Sequence, residues 1–134
     1  MLKIKRGVIE AITAHARREL PNEACGYLAM ENDIVAAHYE LTNIDQAADH
    51  FSMEPKEQFA AVKEMRRRGQ VLKAVYHSHP ETPPRPSAED IRLAHDPALS
   101  FVIVSLAAAE APVKSFLISK GEVSEEPIEI ILNQ

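Results

Sequence analysis

The chain has 134 residues, 46% of them hydrophobic and 26% charged, with a formal net charge of −5. That length is enough for one domain with its own core, read here as residues 1–134. The acidic balance disfavours a general affinity for nucleic acid, and no apolar run approaches a membrane span. A lone Cys25 excludes an internal disulfide framework and a cysteine-rich zinc cage. "MLKIKRG" shows no secretory h-region, so a cytoplasmic protein is expected.

Val8, Ile12, Ala16 and Leu20 recur at helical spacing and Pro21 stops the pattern, which predicts a first helix near residues 6–20. "CGYLAM" and "DIVAAHYEL" follow as two strands joined by turn residues Glu31 to Asp33. After the polar "TNIDQAADHFSMEP", Phe59, Val62 and Met65 mark one face of a second helix. Gly69 ends it, and Arg66, Arg67 and Arg68 suit the negative end of its dipole. "VLKAVYH" is a buried strand by length and β-rich content. A loop with four prolines comes next, and then "SAEDIRLA", a short helix with Ser87 as N-cap. "SFVIVSL" and "VKSFLIS" are further strands, and "PIEIILN" a last one at an edge, where a homodimer could form. The sum is an α/β or α+β sandwich with a mixed sheet of about five or six strands and flanking helices.

Chemistry concentrates in "YHSHPETPPRPSAED", residues Tyr76 to Asp90. In a strand, residues i and i+2 project from one face about 7 Å apart. His77 and His79, where the strand opens into the loop, can therefore converge on one ion. A catalytic zinc uses three protein ligands and leaves a fourth position for water, and Asp90 on the first turn of the next helix is the natural third. Pro80, Pro83, Pro84 and Pro86 stiffen the spacer between them. Taken alone, Ser87 and Asp90 at i and i+3 are a capping-box pair of the kind many helices carry for stability. The conjunction of paired histidines, rigid loop and helix start favours a metal site. A zinc site also needs a nearby acid, and physics alone leaves Glu23 in "PNEACGYL" one glutamate among many. Cys25 is expected as a small buried hydrophobe, His15 as exposed, and His38, His50 and His95 as lacking partners at ligand spacing.

The loop and helix start, "HSHPETPPRPSAED", resemble the H-x-H-P … S-x-x-D motif of the JAMM (MPN+) metallopeptidases, and "LPNEACGYL" resembles the segment carrying that family's catalytic glutamate. The order of elements fits as well, so the resemblance runs from about Ile4 to Ser119. It implies the MPN fold, similar to that of cytidine deaminases. It also implies one zinc held by His77, His79 and Asp90, Glu23 as general base and acid, and Ser87 as a donor to the water or the oxyanion. Among family members, the chain is most similar to small bacterial peptidases acting on ubiquitin-like sulfur-carrier proteins, cut after a C-terminal Gly-Gly and in one pathway releasing cysteine. A narrow cleft for an extended tail is then expected, with selectivity supplied by the carrier's globular body. Asn43 to Phe51 would lie where the substrate groove begins. Three other readings compete. One is a RadC-type protein of DNA metabolism with a similar loop. Another is an iron site of two histidines and a carboxylate. The last is a zinc-bearing module that binds carriers without cutting them.

Overall fold

The computed structural model describes residues 1–132. Their elements, in chain order, are β1 (Leu2–Lys5), α1 (Arg6–Arg18), β2 (Cys25–Glu31), β3 (Ile34–Leu41), α2 (Pro55–Arg67) and β4 (Val71–His79). There follow α3 (Ala88–Leu93), β5 (Ser100–Ser105), β6 (Val113–Ser119), β7 (Glu122–Glu126) and β8 (Ile128–Ile131). The strands form one mixed sheet in the order β7-β6-β5-β4-β2-β3-β1-β8. β4 and β5 are parallel, as β1 is to β3 and β8; the other neighbours are antiparallel.

Central strands covered on both faces are apolar throughout, and alternation sorts their side chains. From β2, Leu28 joins Val8, Ile12 and Ala16 of α1 in one core, together with Tyr76, Val102 and Val104. Cys25, Tyr27 and Ala29 face the other way and pack with Ala61 and Met65 of α2. Each large side chain so buried contributes roughly 1.5–3 kcal/mol. Gly26 serves this layering. A side chain there would collide with the Tyr39 carbonyl and the Tyr76 ring, which lies across β2 at that point.

Several expectations change. Eight strands replace five or six, because β1 and β7 are short and gain their stability from neighbours. β7 reads "EVSEE", yet buried Glu126 accepts hydrogen bonds from the Ser100 and Ser115 hydroxyls at 2.7 and 2.9 Å. The first helix ends at Arg18, two residues early, and Leu20 is exposed. Phe59 is 75% exposed, not on the packed face of α2. Gln58, Ala61, Val62 and Met65 make the i, i+3, i+4, i+7 stripe instead, and Phe59 points away from it. The helix closes as expected, with Arg68 as C-cap and Gly69 at φ +72°. β4 runs on through His79, so both histidines belong to the strand itself. β8 is an outer strand, as expected.

His15, expected at the surface, is buried under α1, and its Nδ1 shares a 2.8 Å hydrogen bond with the Tyr76 hydroxyl. The partner is 61 residues away in the sequence, which no local pattern reveals. Burial lowers the His15 pKa below its usual 6.5 and keeps the ring neutral.

Candidate metal centre

The site is assembled on the α2 face of the sheet by register. Cys25 pairs with His77 across β2 and β4. The pairing continues past the end of β2, where the Ser78 amide donates to the Ala24 carbonyl at 3.0 Å and the Ala24 amide to Ser78 Oγ at 2.8 Å. One step further, Glu23 stands opposite His79. Alternation then puts Glu23, His77 and His79 on the same face.

Over these rings comes α3. Asp90 Oδ2 lies 3.1 Å from His77 Nε2 and 3.3 Å from His79 Nε2, and the two ring nitrogens are 3.2 Å apart. The Asp90 amide donates to Ser87 Oγ at 3.0 Å and the Ser87 amide to Asp90 Oδ2 at 2.9 Å, a complete capping box. The cap also sets the carboxylate's aim: the helix start points Asp90 at the histidines. The proline-rich loop is tied down as well. His79 Nδ1 donates to the Pro83 carbonyl at 2.9 Å, Ser105 Oγ to the Thr82 carbonyl at 2.6 Å, and the Leu106 amide to the His79 carbonyl at 3.0 Å. Because a carbonyl only accepts, the neutral His79 ring carries its proton on Nδ1 and turns the Nε2 lone pair to the cluster, while the protonated ring also donates from Nε2 to Asp90. The Phe51 ring stacks on His77 with centroids 4.8 Å apart and fixes its plane.

Burial and charge act strongly here. Burial would raise the Asp90 carboxyl, but hydrogen bonds with His77 and His79 outweigh it and hold the group far below the usual carboxylate range. For His79, burial opposes the charged ring, while the Asp90 hydrogen bond and the Pro83 carbonyl prevail and raise its pKa. Glu23 goes the other way. Burial pushes its carboxyl up to about 8, against the pull of His79, and its Oε1 finds no hydrogen-bond partner among the described residues. His77 Nδ1 is likewise buried without one.

These residues fit a divalent cation. Two imidazole nitrogens and a carboxylate oxygen face one another with all ligand atoms within 4.8 Å. At most one proton fits between two nitrogens at such a distance, whereas a cation answers all three lone pairs at once. Cys25 offers no competing chemistry. Burial pushes its thiol up to about 12, and Sγ sits 3.6 Å from the Leu41 carbonyl. His38 pairs with Glu40 at 3.1 Å, and His38, His50 and His95 all lie outside the metal-ligand group.

Asn43 turns out to be a latch. Its Nδ2 donates to the Glu23 and His50 carbonyls at 3.0 and 3.2 Å, and its Oδ1 accepts from the Asp45 and Ser52 amides at 3.1 and 3.2 Å. It thereby binds the loop that delivers Phe51 to the segment that carries Glu23. The sequence places Phe51 at the start of an expected substrate groove, but not its stacking on His77, and nothing local in the sequence marks the Pro83 carbonyl as a partner of His79. Beside His77 and Asp90 opens a pocket of about 280 Å³ walled by Phe51, Met53, Val75, Leu93 and Phe101.

A family profile for prokaryotic homologs of the JAB domain matches residues 5–119. The chain belongs to this JAB family. It is 33% identical over 134 residues to the CysO-cysteine peptidase of Mycobacterium tuberculosis (strain H37Rv), covering 98% of this chain and 92% of that one. It is 31% identical over 103 residues to the desampylase of Haloferax volcanii, covering 72% and 74%. Among solved structures, that of a Desulfitobacterium hafniense protein superposes with a TM-score of 0.91 at 49% identity, covering 99% of this chain and 94% of the other. A JAB1/MPN domain protein from Archaeoglobus fulgidus shares the fold, with a TM-score of 0.68 at 24% identity over 97% of each chain. The expected JAMM/MPN family and fold thus hold, and with them the class of hydrolytic enzyme. Among the described residues no helix is long and apolar enough to cross a membrane.

Proposed function

We propose that the chain is a zinc peptidase that hydrolyses the bond after the C-terminal Gly-Gly of a ubiquitin-like sulfur-carrier protein, releasing cysteine or another amine in the cytoplasm. The observation that carries this reading is the convergence of His77, His79 and Asp90 beside a buried carboxyl group, Glu23, two residues before Cys25 and opposite His79. The names of the mycobacterial and haloarchaeal relatives support the substrate class.

His77 Nε2, His79 Nε2 and Asp90 Oδ2 would hold the zinc. When bound, zinc supplies a Lewis acid that polarises the scissile carbonyl and lowers the pKa of water toward about 7. Glu23 then does the proton work. Its desolvated carboxylate takes a proton from the attacking water, and the same group returns it to the departing amine. Ser87 Oγ accepts from the Asp90 amide, which leaves its own O–H free to donate to the developing oxyanion.

The test is cleavage of a sulfur-carrier protein ending in Gly-Gly–Cys by the wild type and by Glu23→Gln, with zinc measured in both. Turnover should fall by at least about a hundredfold in the variant while its zinc is retained. Equal turnover in both would remove Glu23 from the mechanism. Zinc and carrier binding without cleavage by either protein would leave a binding module.

A further inference from the structure

We propose that the pocket beside His77 and Asp90 takes an apolar side chain from the residue immediately before Gly-Gly, so that the carrier's tail itself carries sequence information. This rests on the peptidase reading above. It departs from the expectation that selectivity resides in the carrier's globular body alone.

The sheet supplies the ruler. Cys25, His77 and Ile103 are register partners in one row across β2, β4 and β5, and Tyr27, Val75 and Phe101 make the next row on the same face. Those three residues floor the pocket. Two residues of strand separate the rows by about 7 Å. Two extended glycines span about the same distance. With the scissile carbonyl at the His77 row, the residue ahead of Gly-Gly therefore lies above Val75.

Direction is set by the proton donor. Glu23 and His79 occupy the row beyond His77 on the opposite side, and neither lines the pocket. The departing amine must lie near Glu23, so the pocket belongs to the acyl side of the cut. The glycines offer no side chain to fill it. The pocket's chemistry names the occupant: Phe51, Met53 and Leu93 enclose it, no lysine or arginine lines it, and Glu89 stands at its rim. An apolar residue fits, and an acidic one is repelled.

The experiment uses one sulfur-carrier protein–cysteine fusion with the residue before Gly-Gly set to Leu, Met, Gly or Asp. The expected kcat/KM is at least about tenfold higher for Leu and Met than for Gly and Asp. Leu93 is 48% exposed, so Leu93→Gln keeps the fold. It should cut the Leu-to-Gly ratio of kcat/KM several-fold. Equal rates on all four fusions would overturn the proposal, and so would a ratio that Leu93→Gln does not move. Cleavage of none of them would overturn the peptidase reading instead.

Discussion

Two buried histidine clusters lie back to back across this sheet, and their polar atoms are treated in opposite ways. Under α1, His15 Nδ1 meets the Tyr76 hydroxyl at 2.8 Å, and Gly26 clears space for the tyrosine ring. On the α2 face, the His77 and His79 Nε2 atoms crowd 3.2 Å apart around Asp90 Oδ2, while Glu23 Oε1 and His77 Nδ1 have no partner among the described residues. A satisfied buried pair stabilises a fold. An unsatisfied one persists only where the surrounding structure holds it for another purpose. Adjacent residues of one strand, Tyr76 and His77, thus project to a satisfied polar pair on one side and to the proposed metal centre on the other.

The sharpest way to break that contrast is Glu23→Gln. Burial raises the Glu23 pKa from 4.5 to about 8, so the folded metal-free chain holds a proton there that the unfolded chain releases. Stability is fully present below about pH 4.5 and declines as pH rises toward about 8. Glu23→Gln should therefore stabilise the metal-free protein by roughly 2–4 kcal/mol at pH 7.5, and by nothing near pH 4. Thermal melts of both proteins across that range check it. The α1 face has the opposite sign. His15 is kept neutral by burial, so its contribution is lost as pH falls below about 6.5, and the substitution should leave that acidic arm in place.

Next in size is Gly26→Ala. The added carbon meets the Tyr39 carbonyl and the Tyr76 ring, and overpacking of this kind costs about 2–3 kcal/mol, read as a lower urea midpoint. Tyr76→Phe keeps the ring and strands His15 Nδ1, for a loss of about 1–2 kcal/mol. Zinc content and turnover per folded molecule should stay at wild-type levels, because the ring faces away from the site. A fall in zinc content would mean that the two faces are coupled. Ser87→Ala is the smallest in stability, about 1 kcal/mol for a lost cap. Its turnover per zinc-loaded molecule should still drop about a hundredfold. Unchanged turnover would leave Ser87 a helix cap and nothing more.

What the sequence revealed follows the range of each interaction. The strand alternation of His77 and His79 and the cap geometry of Ser87 and Asp90 are local, and they read correctly. Glu23 reaches the cluster only through the register of β2 on β4, so the residues alone could not select it and a family resemblance did. The surface place expected for His15 fails because its partner is distant, and β7 escapes a local reading because its stability comes from Ser100 and Ser115 on other strands. Phe59 misled through its type: an aromatic residue suggests a packed face, but small Ala61 holds that position.

The most direct test of the account is native mass spectrometry of the wild type beside His77→Ala, both purified without added metal. One zinc per chain is predicted in the wild type and none in the variant, with both proteins folded by circular dichroism. A wild type without metal, or a variant that keeps its full complement, would contradict the assignment of His77, His79 and Asp90 as a metal centre.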